Sequence, residues 1–215
     1  MNNLIGLVGF AGSGKDTVGN ILRDKFGYQK YSFAGPLKDI VSILFSWDRE
    51  LLEGSTEESR IWRETPDKWW TEKLGWKSKH GKDFTPRICL QYFGTDLLRN
   101  HFDENIWITV MERYVMDVIK NGNKIVITDC RFNNEIKAIK NNSGEIIRVR
   151  RGTDPNWFDM AKTNIKEYHD NPNLTHDFLW MSKLGIHHSE VDWIDVEPDK
   201  IIENNSTIND IINQL

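Results

Sequence analysis

The sequence predicts an α/β chain: a three-layer fold on a mainly parallel sheet. Three observations carry this. The segments LIGLVG (4–9), KIVITD (124–129) and EIIRVR (145–150) are short and nearly continuous in apolar residues, as strands covered on both faces must be. Segments with helical periodicity separate them, and a Gly-rich turn joins the first strand to the first helix. In sheets of this kind ligands bind at the carboxyl ends of the strands.

Taken in order, the first strand is followed by Val18, Ile21, Leu22 and Phe26 at helical spacing, so a helix is expected over 14–26. Tyr28 to Phe33 alternates as a second strand does, and Gly35-Pro36 opens a helix with Leu37, Ile40, Val41, Leu44 and Phe45 on one stripe. Residues 46–85 lose clear periodicity and are read as an insertion over a binding face. Thr85-Pro86 starts a helix that runs to about Asn100. Another follows Asp103, striped by Trp107, Val110, Met111, Tyr114, Val115 and Val118 and stopped by Gly122. After the strand at 124–129 come a helix over 132–141, Gly144 and the strand at 145–150. Residues 152–190 are polar and irregular and are read as a lid-like flap. A short strand at Ile201-Ile202 and a helix from Thr207 complete the chain.

A length of 215 residues fits one domain, 1–215, carrying the insertion and the flap. With 39% hydrophobic and 28% charged residues, disorder is excluded as the main state. The net charge of −4 gives no bulk attraction for a nucleic-acid polymer or an anionic membrane, and no apolar run is long enough to span one. A cytoplasmic protein is expected, its Cys89 and Cys130 reduced and without CxxC spacing. The one compositional excess is tryptophan: nine residues, with Trp47, Trp62, Trp69, Trp70 and Trp76 all in or beside the insertion. A small insertion holds its shape by burying such side chains; alternatively one of Trp62, Trp69, Trp70 or Trp76 walls a ligand pocket.

The motif with the clearest chemistry is Gly9-Phe10-Ala11-Gly12-Ser13-Gly14-Lys15-Asp16-Thr17, which fits G-x-x-x-x-G-K. Successive backbone N–H groups can all turn toward phosphate oxygens only where glycine permits the conformation and the close approach. The following helix adds its positive end, and Lys15 reaches the β- and γ-phosphates. The nucleotide-phosphate site is therefore assigned to Ala11, Gly12, Ser13, Gly14, Lys15, Asp16 and Thr17. Asp16 stands where the motif has Ser or Thr, so direct metal coordination passes to Thr17, or to a water held by Asp16.

Asp129, ending its strand, is a candidate for holding a magnesium-bound water or an acceptor, and Arg131 for clamping the transferring phosphate. The plain alternatives are a strand-end turn aspartate and a surface ion pair. In helix 86–100, at about 100° per residue, Arg87, Gln91, Gly94 and Leu98 fall within about 60° of one another, with Thr95 beside them. A gap at Gly94, with Gln91 and Arg87 supplying amide and guanidinium hydrogen bonds, suits a planar ligand; a solvated stripe with a packing glycine is the alternative. Trp107 is by default a core anchor. Arg150 and Arg151 close a strand at the ligand-binding end, and no arginine follows Arg151. His187 and His188 lack a completing carboxylate, so no zinc site is expected there.

The blocks GFAGSGKDT, YSFAGPLKD, LQYFGTDLLRNHFDENIWI and TDCRFNNEIKAIKNNSGEIIRVRR, in that order, resemble the deoxynucleoside monophosphate kinases of tailed bacteriophages. The likeness continues weakly through HHSE and DKIIENNSTINDI. It implies a P-loop kinase-like fold and transfer of the γ-phosphate of ATP, as its magnesium (Mg2+) complex, to a deoxynucleoside monophosphate. By the same resemblance Lys15, Asp16, Thr17, Asp129 and Arg131 are catalytic, Thr17 and Asp129 serve the metal through water, and Arg87, Gln91, Gly94, Thr95, Trp107, Arg150 and Arg151 bind the acceptor. A viral enzyme would work in the host cytoplasm; whether it forms a homodimer is left open. The rivals are a kinase of another small phosphate ester, of the phosphomevalonate or dephospho-CoA type, and a non-catalytic nucleotide switch.

Overall fold

The computed structural model describes residues 2–171, 181, 186 and 190–215. It divides into two compact units, one of Met1–Ser32 with Met111–Leu215 and one of Phe33–Val110. Five strands are present, β1 (Leu4–Val8), β2 (Tyr28–Tyr31), β3 (Lys124–Ile127), β4 (Glu145–Arg150) and β5 (Lys200–Glu203). The helices are α1 (Lys15–Phe26), α2 (Gly35–Phe45), α3 (Glu57–Glu64), α4 (Lys68–Lys73), α5 (Trp76–His80), α6 (Pro86–Gln91), α7 (Ile106–Lys120), α8 (Asn133–Asn141), α9 (Phe158–Asp170) and α10 (Ile208–Gln214).

All five strands belong to the first unit and pair in parallel in the order β2-β3-β1-β4-β5, with Ile5 opposite Val126 and Leu7 opposite Ile147. The α/β class and the parallel sheet expected from the apolar runs are what the chain adopts. All of β1 is buried because it sits at the centre with a helical layer on each face, which is why its sequence is apolar without alternation. On one face Val18, Ile21 and Leu22 of α1 meet Ile5, Leu7, Val126, Val149, Ile202 and Ile211 of α10. On the other, Ile139 of α8 fills the space over Gly6, where a Cβ would lie 2.7 Å from its Cδ1. Burial of each such aliphatic side chain contributes about 1.5–3 kcal/mol, so this two-sided core is the main source of the unit's stability. The chain leaves β1 toward β2 and β3 on one side and later returns to β4 on the other. The carboxyl end of β1 is therefore the point where strand order reverses, and there a crevice opens in such sheets.

The second unit is helical. The segment without clear periodicity forms a 3₁₀ turn, Leu51–Glu53, and the short helices α3, α4 and α5, of 8, 6 and 5 residues, too short to repeat a stripe. The starts of α3 and α4 are local chemistry: Thr56 Oγ1 accepts from Ser59 N at 3.1 Å, and Asp67 Oδ1 from Trp70 N at 3.0 Å. Phe45 stacks on Trp47 and packs edge-on to Trp70 and Phe93, while Trp76 and Phe84 complete the cluster. The indole of Trp47 donates to Asp67 at 2.9 Å and that of Trp70 to the Phe45 carbonyl at 3.2 Å. Trp47 and Trp76 are buried and Trp69 is 57% exposed, so the excess of tryptophan largely builds this unit's own core.

Past Gln91 the helix continues to Phe102 in wider, π-type turns rather than as an α-helix to about Asn100. The stripe drawn at the α-helical angle therefore ends with α6.

In the flap, the irregular reading is corrected by α9. Phe158, Ala161 and Ile165 recur at helical spacing, Ala161 and Ile165 are buried, and the stripe is too brief among polar residues to stand out. His187 and His188 lie outside the described residues. His169, in the last turn of α9, is held between two carboxylates, Nδ1 to Asp195 at 2.8 Å and Nε2 to Asp192 at 3.0 Å, while Asp192 also accepts from Asn133 N at 2.8 Å. Burial alone would lower its pKa, but the two aspartates outweigh burial and raise it to about 9. The stabilisation is fully present below the unfolded value near 6.5 and is lost as pH rises through about 9. His169→Gln should accordingly lower the urea midpoint at pH 7 by the equivalent of at most about 3 kcal/mol, and the gap to wild type should close by pH 10. A gap independent of pH would show that the imidazole is neutral.

Candidate functional site

The loop Gly9–Gly14 leaves the carboxyl end of β1 and enters α1. Gly9, Gly12 and Gly14 have φ of +143°, +78° and +95°, conformations that let the loop coil around its own amides. At Gly9 the reason is also steric, since a Cβ would stand 2.3 Å from the Val149 carbonyl oxygen of β4. Ser13 N closes a turn onto the Phe10 carbonyl at 3.1 Å. Lys15 folds back, donating from Nζ to the carbonyls of Gly9 at 2.6 Å and Phe10 at 3.0 Å. Its amine is thus already at the loop, and burial followed by repulsion from Arg131 lowers its pKa, opposed by Glu190, Asp16 and Asp129. Arg131, Glu190, Asp16 and Asp129 thus all act on the one amine.

Asp16 and Thr17 are exposed in the first turn of α1. Lys30 Nζ lies 3.4 Å from Asp16 and 2.9 Å from Asn20 Oδ1. Asp129 follows β3 and accepts from the Ser32 hydroxyl at 2.7 Å. The hydroxyls of Thr17 and Ser32 and the carboxylates of Asp16 and Asp129 are oxygen donors, the ligand type a hard cation such as Mg2+ takes, although the described residues hold no cluster of three or more His, Cys, Asp or Glu side chains fit for a metal. Arg131 is fixed at its backbone, where Glu135 Oε2 accepts its N–H at 2.8 Å, and its guanidinium pairs with Glu190 at 2.9 Å.

Arg150 and Arg151, expected on the acceptor side, line a pocket of about 110 Å³ beside the phosphate loop together with Phe10, Ala11, Gly12, Ser13 and Arg148. Arg150 is held there by Glu203, at 2.9 and 3.2 Å from its Nε.

The remaining candidates belong to the helical unit. Arg87 pairs with Glu64 at 3.2 Å, and Gln91 and Thr95 are half-buried. Gly94 is buried with Leu37 2.8 Å from where its Cβ would be, and its carbonyl accepts the Trp107 indole N–H at 3.0 Å. The gap read at Gly94 is thus filled by packing, and Trp107 is the core anchor that its place in a stripe indicated.

Sequence reasoning missed four residues. Phe10 packs edge-on against Trp157, Phe158 and Trp193, with centroids 5.6, 6.0 and 5.2 Å away. Phe158 also lies 4.5 Å from the buried guanidinium of Arg148, which strand alternation sets on one face with Arg150 and which pairs with Asp154. Ser32, Glu190 and Asn204 complete the list. Their only signal was position: each falls inside one of the blocks that carry the family likeness, with no local pattern of its own.

A glycine-rich turn with its lysine at the head of a helix, set at the reversal point of a parallel sheet, defines a phosphotransferase of the P-loop kinase class. The family described as deoxynucleotide monophosphate kinase matches residues 70–166. A protein of Acanthamoeba polyphaga mimivirus carrying that name is 35% identical over 178 residues, 77% of this chain and 84% of that one. The chain belongs to the deoxynucleotide monophosphate kinase family. The deoxynucleoside-5'-monophosphate kinase of Escherichia phage T5 is 28% identical over 191 residues, 69% of this chain and 72% of that one. Among solved structures, the dephospho-CoA kinase from Campylobacter jejuni superposes with a TM-score of 0.45 at 15% identity over 100% of this chain and 94% of that one. No described helix is long and apolar enough to cross a membrane.

Proposed function

We propose that the protein is a deoxynucleoside monophosphate kinase, moving the γ-phosphoryl group of ATP to a deoxynucleoside monophosphate to give ADP and a deoxynucleoside diphosphate. The observation that carries this is the phosphate loop with Lys15 at its lip, in a chain that shares 35% identity with a named family member across most of its length.

Two polyphosphates repel, and the transferring group carries its charge on oxygens, so the protein's work is positioning and charge neutralisation. The amides of Ala11 to Lys15 take the donor phosphates. Arrival of phosphate draws the Lys15 amine off the Gly9 and Phe10 carbonyls onto the β- and γ-oxygens, and the lowered pKa rises again as anionic charge comes beside it. Arg131 exchanges Glu190 for the transferring group. Asp129, steadied by Ser32, accepts the hydrogen bond of the acceptor side or of a water. Mg2+ would be held by Thr17 and Asp129 through water, and would supply positive charge against the donor phosphates. Arg150 and Arg151, beside the loop, serve the donor. Arg87, Gln91 and Thr95 are the residues of the helical unit proposed for the acceptor. Both named relatives are viral, which supports a place of action in the cytoplasm of a host cell.

Purified protein incubated with ATP, Mg2+ and a panel of acceptors tests the reading. ADP and a diphosphate should form with at least one deoxynucleoside monophosphate. Product only with another phosphate ester, or slow hydrolysis indifferent to acceptor, would refute it.

A further inference from the structure

The phosphate loop is not held by its own turn alone. The tripeptide Glu203-Asn204-Asn205, at the end of β5, reaches it and the neighbouring strand exit at three points. Asn204 donates from its carboxamide Nδ2 to the Ser13 carbonyl at 2.8 Å and from its backbone N–H to the Arg150 carbonyl at 2.7 Å. Asn205 Oδ1 accepts the Gly152 N–H at 2.6 Å, and Glu203 holds the Arg150 side chain. The tripeptide is itself braced by α10, where Gln214 Oε1 accepts from Glu203 N at 2.7 Å and its Nε2 donates to the Glu203 carbonyl at 3.0 Å.

Ser13 sits between the two glycines that shape the loop, so the direction of its carbonyl fixes the peptide plane it shares with Gly14. The N–H of that plane is one of those turned toward donor phosphate. A carbonyl without a partner can rotate with its plane; one accepting an amide from a braced strand end cannot. The fit is close: a Cβ on Gly14 would lie 2.1 Å from Asn204 Nδ2, so the absence of a side chain at Gly14 makes room for this amide as well as permitting φ of +95°.

We propose that Asn204 is a positioning residue for the donor phosphates: its carboxamide pins the Ser13–Gly14 peptide plane, and nucleotide affinity depends on this clasp between the last strand and the loop. This rests on reading the loop as the donor phosphate site, but not on the identity of the acceptor. Asn204→Ala removes the donor and keeps the backbone bond to Arg150. Asn204→Asp keeps the shape but turns an oxygen toward the Ser13 carbonyl and adds negative charge near the phosphates.

Titration calorimetry with ATP alone should show affinity falling about tenfold in the alanine variant, the loss of one hydrogen bond to a constrained carbonyl, and further in the aspartate variant. In turnover the KM for ATP should rise in parallel while the KM for the acceptor stays within about twofold, and the melting temperature should change little. Unaltered ATP affinity in the alanine variant would overturn the proposal, as would equal rises in both KM values accompanied by a large fall in melting temperature, which mark a general structural role. Failure of wild-type protein to bind ATP would overturn it together with the loop assignment. Normal ATP binding without transfer to any deoxynucleotide would instead overturn only the proposed reaction, and the comparison of ATP affinities would still decide the role of Asn204.

Discussion

Lys15→Ala is expected to lower turnover by about 10³-fold or more while leaving the fold intact. The side chain supplies the one positive charge built into the loop, and catalysis by neutralisation depends on charge placed before the reaction begins. Its amine donates to the carbonyls of buried Gly9 and half-buried Phe10, two hydrogen bonds of small net worth. The melting temperature should therefore change by no more than a few degrees, corresponding to about 1 kcal/mol. Loss should fall on kcat as well as on the KM for ATP, because the charge on the transferring group is greatest after the ground state. Steady-state kinetics with ADP release as the readout, beside a thermal melt, checks both halves. Near-normal turnover would remove Lys15 from the mechanism.

Gly9→Ala is expected to damage stability and nucleotide binding together. A methyl group there would meet the Val149 carbonyl oxygen at 2.3 Å and the Ser13 hydroxyl at 3.0 Å, and φ of +143° excludes a side chain on backbone grounds as well. The oxygen it meets is backbone of a strand paired in the middle of the sheet, so it cannot swing aside. A loss of about 3 kcal/mol or more follows, or roughly 6–12 °C in melting temperature for a chain of this size. Whatever folds should bind ATP weakly, because the entry to the loop is displaced. A variant as stable as wild type would mean that β1 and β4 can part at this point without cost.

The two predictions differ in how visible their grounds were. Lys15 was legible because the motif is local: glycines spaced for one tight turn, an apolar strand before them and an apolar stripe after. The same holds for β3 and β4, whose continuous apolar runs follow from burial on both faces. Thr85 and Thr207 each start a helix by a bond spanning three residues. Such signals survive in sequence because partners three or four residues apart meet whatever the remainder of the chain does.

Elsewhere the reading failed for the converse reason. Helix 86–100 was drawn with one angle per residue, but after Gln91 the turns widen, and the stripe linking Arg87 to Gly94 dissolves into packing against Leu37 and Trp107. Arg150 and Arg151 ended the expected strand, and their place beside the phosphate loop depended on β4 lying beside β1, a neighbour some 140 residues away in the chain. The short stripe of α9 was lost among polar residues because burial, not its own hydrophobicity, stabilises it.

What the sequence by itself determined was the class of chemistry: a phosphate loop, its lysine, and a parallel sheet to carry them. What only the tertiary structure decided was how the loop is held and which charges face it. The Phe10 ring among Trp157, Phe158 and Trp193, Arg131 with Glu190, and Asn204 on the Ser13 carbonyl join segments 59 to 191 residues apart in the last two cases. No periodicity records such a pairing, since each partner alone is an ordinary polar or aromatic residue. Only closure of the sheet, driven by burial of its apolar faces, brings them within bonding distance.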